Sequence, residues 1–276
     1  MTIECAVLVD GVSTDFLPID DRGLAYGDGV FRTLRVVDAR PLWWQAQLAK
    51  LAEDCARIGL QAPSSDSWNA DLGLIQALIS PGVKSGVLKL MVTRGSGPRG
   101  YMPPALPHIR RVMRFDASSQ KPSANSAAGL NLRICALRLG WQPRLAGVKH
   151  LNRLENVLAR AEWNDPAIDE GLLMDHADRV ISGVMSNLFI WRQNQLLTPR
   201  LDQCGVAGVV RARLMRLAVE QGLDVKEIDL NLTSVFDADE VMLTNSVWGL
   251  RRVARLETQT WAEPVISSRL AGLLDA

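Results

Sequence analysis

The first 115 residues alternate short apolar runs with turn signals, a pattern that predicts a sheet interrupted by helices. Strands are predicted at 3–9, 30–38, 86–93 and 108–115, with a turn at Asp10-Gly11 and a loop over 17–28. Apolar positions three and four residues apart predict a helix from Trp44 to Leu60, carried by Leu48, Leu51, Cys55 and Ile58. A second helix is predicted over 66–80, before Pro81-Gly82.

The second half of the chain also contains both strand-like and helix-like patterns of apolar residues. Strands are predicted at 130–137, 170–175, 179–182, 187–192, 195–198, 225–228, 240–245 and 250–254. Helices are predicted at 151–163, 207–222 and 264–274. For the first of these helices, the apolar residues Leu151, Leu154, Val157, Leu158 and Ala161 are expected on one face.

A polar, small-residue segment separates the two halves. Residues 116–129 read DASSQKPSANSAAG, a composition typical of an exposed connection. The regular strand–helix alternation of a doubly wound sheet is missing from the pattern. We therefore expect an α+β fold with a small N-terminal domain (1–115), a linker (116–129) and a larger C-terminal domain (130–276) that carries Lys149.

Composition narrows the function class. The chain has 276 residues with a net charge of +1, which disfavours binding to nucleic acid or to an anionic membrane. Neither a secretory signal nor an apolar run of about 18 residues is seen, so we expect a cytoplasmic protein without membrane spans. Three scattered histidines and four widely spaced cysteines give no metal-site pattern, and the thiols are expected to be reduced.

A glycine-containing segment suggests an anion site. Gly205 and Gly208 come just before a predicted helix, where backbone amides and the helix dipole favour negative charge, and Arg211 would add to it. An ordinary turn with a helix cap explains the same residues. Similarly, Thr244-Asn245-Ser246 at a strand end would suit a phosphate or a carboxylate, or would form a simple strand-to-turn transition.

Lys149 is the lysine best placed for chemistry. The chain has only six lysines, and this one follows a loop and precedes an apolar helix. An amine in a dry pocket at such a junction is nucleophilic. The alternative is an ordinary surface lysine, and His150 beside it is expected to cap the helix.

A glycine-rich loop supplies two arginines. Arg94 and Arg99 lie within residues 93–101, a stretch that ends at Tyr101. Arginines on such a loop would bind carboxylates with two parallel hydrogen bonds. A mobile surface loop is the other interpretation.

Five segments in this order resemble the fold-type IV pyridoxal-phosphate enzymes. They are DRGLAYGDGVFRTLRV (21–36), KHLNRLENVLARAEW (149–163), SNLFIW (186–191), TPRLDQCGVAGVVR (198–211) and LTNSVWGL (243–250). The family includes branched-chain and D-amino-acid aminotransferases and 4-amino-4-deoxychorismate lyases, and the lyases are the most similar. The resemblance implies two α+β domains with pyridoxal 5'-phosphate between them, and a homodimer.

The resemblance also assigns roles to residues. It implies that Lys149 is the Schiff-base lysine and that the backbone amides of Val209 and Val210, after Gly208, hold the cofactor phosphate. It further implies that the Asn245 side chain approaches that phosphate.

Three positions depart from the usual family pattern. Lys50 aligns with a phosphate-binding arginine. A lysine keeps the positive charge but cannot form the two parallel hydrogen bonds of a guanidinium. Val210 stands where a threonine is frequent, so a hydroxyl contact is lost. Ser182, five residues before Asn187, stands where a glutamate usually contacts the pyridine nitrogen.

Ser182 carries a chemical consequence. A serine hydroxyl can hydrogen-bond a neutral pyridine nitrogen, whereas a glutamate keeps that nitrogen protonated and strengthens the electron sink that transamination needs. Elimination needs less delocalisation because the leaving group takes the electrons, so Ser182 favours elimination. Reduced activity and an altered role of the cofactor are the alternative interpretations of this serine.

We therefore expect a lyase that converts 4-amino-4-deoxychorismate to 4-aminobenzoate and pyruvate for folate biosynthesis. Arg94, Arg99 and Tyr101 are expected to contact the substrate, with Arg251 as a weaker candidate. An aminotransferase acting on D-amino or branched-chain amino acids is the alternative, although Arg32 stands where those enzymes often carry glutamate. A non-catalytic protein of the same fold that binds the cofactor or a partner is the third hypothesis.

Overall fold

The computed structural model describes residues 4–118 and 129–275. Within them the chain forms two compact units, the first made of 4–118 with 148–152 and the second of 129–147 with 153–275. Most of the predicted linker 116–129 lies outside the described residues. The α+β fold class expected from the sequence is confirmed.

The first unit is an antiparallel sheet with helices packed against it. Its strands are β1 (Cys5–Val9), β2 (Val12–Ser13), β3 (Gly29–Val37), β4 (Arg40–Pro41), β5 (Gly86–Thr93) and β6 (Arg110–Ala117), in the order β2-β1-β6-β5-β3-β4. Its helices are α1 (Arg22–Tyr26), α2 (Trp44–Arg57) and α3 (Ser65–Leu78). Alternate residues of β3 and β5, such as Leu34 and Leu88, meet Leu51 of α2 in the core.

The second unit is a larger mixed sheet. Its strands are β7 (Leu130–Leu139), β8 (Glu170–Asp175), β9 (Val180–Gly183), β10 (Asn187–Arg192), β11 (Gln195–Pro199), β12 (Asp224–Ile228), β13 (Glu240–Asn245), β14 (Gly249–Leu256) and β15 (Gln259–Thr260). Its helices are α4 (Leu154–Arg160), α5 (Val209–Glu220), α6 (Leu232–Phe236) and α7 (Ser267–Asp275). Strand β9 pairs with both β8 and β10, so six strands close on themselves in the order β10-β13-β14-β7-β8-β9.

Strands β8, β10 and β13 of the second unit are almost wholly buried. Their continuous apolar runs, such as NLFIW from Asn187, are the pattern of strands covered on both faces. Because central strands are rigid, residues at their ends are held in fixed positions.

Two expectations from the sequence are corrected. Residues 148–152 group with the first unit, so Lys149 does not lie in the C-terminal domain, because this segment hydrogen-bonds along β3. Helix α4 is also shorter than the predicted 151–163, and its apolar residues Leu154, Val157 and Leu158 are 69%, 60% and 54% exposed. The described helices contain no segment long and apolar enough to cross a membrane.

Candidate active site

The backbone of Lys149 is bound to strand β3. The Lys149 carbonyl accepts a hydrogen bond from the Phe31 N–H at 2.9 Å, and the Leu151 N–H donates to the Gly29 carbonyl at 2.9 Å. Gly29 permits this close approach, because a Cβ there would lie 2.7 Å from Leu151 Cδ1 and 2.3 Å from the Val92 carbonyl oxygen on β5. The half-buried side chain of Lys149 places its ammonium nitrogen 4.4 Å from the Phe31 ring centroid.

Asp54 of helix α2 holds the other side of the Lys149 peptide. Its fully buried carboxylate accepts a hydrogen bond from the Lys149 N–H at 3.1 Å and forms an ion pair with the buried guanidinium of Arg32. Burial lowers the pKa of Arg32 and the negative charge of Asp54 opposes that shift. A carboxylate this deeply buried needs such a partner.

Lys50 lies one helical turn before Asp54 and is bound to acidic side chains. Its ammonium nitrogen is 2.9 Å from Asp54 Oδ1 and 2.6 Å from Glu53 Oε1. The positive charge of Lys50, which was expected to attract a phosphate, is therefore partly neutralised by acidic residues of its own helix.

Arg94, one of the expected substrate contacts, is bound to other groups of the first unit. Its guanidinium donates to Asp28 Oδ2 at 2.8 Å and to the carbonyls of Ile58 and Gly59, each at 2.9 Å. All three of its nitrogen atoms thus have partners, two of them at the end of helix α2 and one at Asp28 before β3. The pKa of Asp28 is lowered because hydrogen bonds from Arg94 and Arg22 outweigh the opposing effect of its burial.

The loop that carries Arg99 and Tyr101 is pinned through its backbone. Arg22 donates to the carbonyls of Gly100 and Tyr101, both at 3.0 Å, and the Tyr26 hydroxyl accepts from the Gly100 N–H at 3.1 Å. Arg99 and Tyr101 themselves are exposed, and Tyr101 retains 85% of its accessible surface. The loop is therefore anchored while these two side chains stay accessible.

In the second unit, three polar residues form a row across neighbouring strands. Asn187 of β10 pairs in register with Ser182 of β9 and with Thr244 of β13, and all three are buried. Residues directly opposite each other in antiparallel strands share one face of the sheet. The Thr244 hydroxyl has no hydrogen-bond partner among the described residues.

The hairpin that carries Ser182 is organised by a buried carboxylate. Glu170 of β8 accepts hydrogen bonds from the N–H groups of Val184 and Met185, both at 3.2 Å, and from the Ser186 hydroxyl at 3.0 Å. Burial raises the pKa of Glu170 and these donors oppose the shift. This carboxylate fixes the hairpin backbone.

Asn187 connects this row to the glycine-containing loop. Its Nδ2 donates to the Val206 carbonyl at 2.7 Å, and its Oδ1 accepts from the Gly208 N–H at 3.1 Å. A Cβ at Gly208 would lie 2.3 Å from that same Oδ1, so the position requires glycine. Asn187 lies in the segment SNLFIW, but the sequence alone assigned this residue no role.

Helix α5 begins directly after Gly208. Its first turn contains neither an acidic residue nor a side-chain cap, and Val209 and Val210 are buried. First-turn amides have no acceptor within their own helix, so this end is suited to an anion. Arg211 does not add charge there, because its guanidinium is bound to the Pro199 carbonyl and Glu227, at 2.9 and 2.8 Å.

The Asn245 side chain forms a turn. Its Oδ1 accepts from the N–H groups of Val247 and Trp248, at 2.9 and 3.0 Å, and its Nδ2 lies 3.4 Å from the Met185 carbonyl. Asn245 therefore has a structural role in the turn at the end of β13, in addition to the phosphate contact expected from the sequence.

Comparison with known families supplies the decisive observation. The profile of the family described as "Amino-transferase class IV" matches residues 29–256, which is most of the chain. The chain belongs to the class IV aminotransferase family. The matched range includes Lys149, the glycine-containing loop and the row of Ser182, Asn187 and Thr244.

Two members of the class IV family share a name as well as similarity to this chain. An aminodeoxychorismate lyase from Vibrio harveyi is 34% identical over 89% of each chain. The crystal structure of a 4-amino-4-deoxychorismate lyase from Pseudomonas aeruginosa superposes with a TM-score of 0.91, at 41% identity over 97% of each chain. A D-alanine aminotransferase from Bacillus licheniformis is 27% identical over 88% of this chain and 83% of its own. The resemblance found in the sequence is confirmed.

Proposed function

We propose that this protein is a 4-amino-4-deoxychorismate lyase that depends on pyridoxal 5'-phosphate. The observation that carries the proposal is its likeness, over nearly the whole chain, to proteins that bear this name. The reaction removes the enolpyruvyl group from the substrate ring, which becomes 4-aminobenzoate, and releases pyruvate.

The residues present fit the cofactor. The first turn of helix α5 has buried residues and no side-chain cap that would compete with an anion, and the missing Cβ at Gly208 leaves room for the Asn187 side chain that binds its N–H. Lys149 would hold the cofactor covalently, and the amides of Val209 and Val210 would hold its phosphate. When bound, pyridoxal phosphate supplies the electron-withdrawing group that acidifies the carbon bearing the substrate amine.

Lys149 then carries the proton transfers. Its amine takes the proton from the carbon that bears the amino group, the ring gains a double bond, and the carbon–oxygen bond to the enolpyruvyl group breaks. The same amine returns a proton to the departing group, which becomes pyruvate. Bonds to Phe31 and Asp54 fix the Lys149 backbone on both sides, so the amine works from a defined position.

Ser182 favours elimination over amino-group exchange. Its buried hydroxyl would hydrogen-bond the pyridine nitrogen without the negative charge that keeps this nitrogen protonated. A weaker electron sink suffices for elimination, because the leaving oxygen accepts the electrons.

Arg99 and Tyr101 are the proposed substrate contacts. The substrate carries two carboxylates, and Arg99 is an exposed arginine on a loop whose backbone is pinned by Arg22. Arg94 is not included in this proposal, because all three nitrogens of its guanidinium already have partners in the first unit.

The active form is a homodimer. Three apolar residues of α4, namely Leu154, Val157 and Leu158, are more than half exposed at helical spacing. A second copy covering this stripe would remove it from water, a common fate of such exposed apolar patches.

A direct assay tests the function. The protein loaded with pyridoxal phosphate should release 4-aminobenzoate and pyruvate in equal amounts from 4-amino-4-deoxychorismate, and Lys149→Ala should lose this turnover. Borohydride should fix the cofactor onto Lys149. Exchange between D-alanine and 2-oxoglutarate without 4-aminobenzoate formation would establish an aminotransferase instead. A protein that cannot be loaded with pyridoxal phosphate would favour a non-catalytic, partner-binding protein.

A further inference from the structure

We infer that Asn187 is the positioning residue for the cofactor phosphate, acting through the loop that begins helix α5. The inference rests on the cofactor site of the proposed function and assigns Asn187 a role that the family resemblance did not. Asn187 itself does not contact the phosphate. It sets the direction of the backbone amides that do.

The first argument is the rigidity of the Asn187 backbone. Asn187 opens strand β10 and pairs with Ser182 on one side and Thr244 on the other. A residue held by two neighbouring strands of a closed sheet has little freedom, so its side chain is a fixed reference point.

The second argument is that one side-chain amide holds both ends of a short loop segment. The donor Nδ2 binds the Val206 carbonyl at 2.7 Å, and the acceptor Oδ1 binds the Gly208 N–H at 3.1 Å. Among common side chains, only an amide offers a donor and an acceptor in this planar arrangement. These two bonds fix the peptide planes between Val206 and Ala207 and between Ala207 and Gly208, and the helix that carries the Val209 and Val210 amides follows directly.

The third argument is that, among the described residues, no other side chain is seen to orient the first turn of helix α5. In the described residues, Gly208 is the N-cap and makes no side-chain capping bond, while Arg211 is bound to Thr198, Pro199 and Glu227. Backbone bonds from Gly147 to Gly205 and from Ala207 to Gly147, at 2.9 and 3.0 Å, hold the other side of the loop. Asn187 is therefore the side chain that aligns the helix N-terminus.

The experiment compares the binding of pyridoxal 5'-phosphate with that of pyridoxal, which lacks the phosphate. Dissociation constants are measured for the wild-type protein, Asn187→Ala and Asn187→Asp, and borohydride trapping on Lys149 is followed by mass spectrometry. Pyridoxal binding reports on folding and on Lys149, so only the ratio of the two constants reports on the phosphate. The hemiacetal that free pyridoxal forms in water affects every variant equally and cancels in the comparison.

We expect Asn187→Ala to reduce the preference for the phosphorylated ligand about tenfold while the pyridoxal constant stays as in the wild type. Asn187→Asp keeps the acceptor for Gly208, loses the donor for Val206 and adds negative charge, so it should reduce the preference further. Asn231→Ala is the matched control. Asn231 caps helix α6 through Ser234, at 2.8 Å, and its loss should leave the ratio unchanged.

Two results would overturn the inference and leave the proposed cofactor in place. One is an unchanged ratio in both Asn187 variants. The other is an equal loss for both ligands in both variants, since Asn187 would then serve only the fold. A wild-type protein with no preference for the phosphorylated ligand would overturn the cofactor site itself, and the inference with it.

Discussion

The carboxylate of Asp54 accepts a hydrogen bond from the backbone N–H of Lys149 at 3.1 Å. The two residues are 95 positions apart in the chain. The same carboxylate neutralises Arg32, so one buried group both stabilises the first unit and fixes the backbone of the proposed catalytic lysine. Stability and reactivity at Lys149 should therefore change together.

Removal of Asp54 should destabilise the protein strongly. Asp54→Ala leaves the Arg32 guanidinium buried without its counterion, a situation that costs about 3–5 kcal/mol. The double variant Arg32→Leu/Asp54→Leu removes both charges and should recover most of that loss in urea unfolding. Asp54→Asn keeps an acceptor for the Lys149 N–H, and its rate of borohydride trapping on Lys149 should exceed that of Asp54→Ala. Additive losses in the double variant would argue against the ion pair as the source of the effect.

Ser182→Glu should shift the reaction toward amino-group exchange. A carboxylate at this position would hold the pyridine nitrogen protonated, and about 1.4 kcal/mol of extra stabilisation corresponds to a tenfold rate. Exchange between D-alanine and 2-oxoglutarate should rise about tenfold relative to 4-aminobenzoate release. Ser182→Ala is the control for loss of the hydroxyl and should not raise exchange. An unchanged ratio in Ser182→Glu would remove Ser182 from the explanation of reaction type.

Arg94 and Arg99 should respond differently to replacement by alanine. Arg94→Ala leaves Asp28 and two backbone carbonyls at the end of α2 without a donor, so it should lower the free energy of unfolding by about 2–4 kcal/mol. Arg99→Ala should leave stability unchanged and raise the KM for the substrate about tenfold, because a carboxylate contact is lost. Unfolding curves and steady-state kinetics on both variants separate the two roles. A normal KM in Arg99→Ala would exclude it as a substrate ligand.

Asp28 should make stability depend on acid pH. Its pKa is lowered in the folded protein, so the group stabilises the fold at any pH above its unfolded value, near 3.8. That contribution is lost as the pH falls from there through the lower folded pKa. The difference in unfolding free energy between the wild type and Asp28→Asn should be constant at neutral pH and shrink below about pH 4. Glu263→Gln, at an exposed position, is the control; a gap that persists at low pH would contradict the assignment to Asp28.

Leu158→Glu should weaken the dimer. The side chain is 54% exposed on α4, which also carries the exposed apolar residues Leu154 and Val157, and a charge there would be buried without a partner on assembly. Light scattering after size-exclusion chromatography should show the monomer at concentrations where the wild type is dimeric. Val219→Glu, a similarly exposed position on α5, is the matched control and should remain dimeric. Equal masses for all three proteins would place any interface elsewhere.

Local patterns in the sequence determined the elements and the fold class. The sequence predicted the alternating strands of the first unit, the long helix that contains Leu48 and Leu51, and the helix after Gly208. These elements depend on the spacing of apolar residues and on the positions of glycines, which are visible within a few residues of sequence. The ordered motifs also identified Lys149 and the family. Helix α1 was missed, since five residues in a loop-like context carry no usable period.

Only the tertiary structure decided how charges and hydrogen bonds pair across the sequence. The sequence does not show that Arg94 donates to the carbonyls of Ile58 and Gly59. It also does not show that Lys50 is paired with Asp54 and Glu53. The side chain of Asn187 binds a loop about twenty residues away, and the backbone of Lys149 binds a carboxylate ninety-five residues before it. Local propensity is read within a few residues, whereas the partner of a buried polar group is chosen by the fold that encloses it.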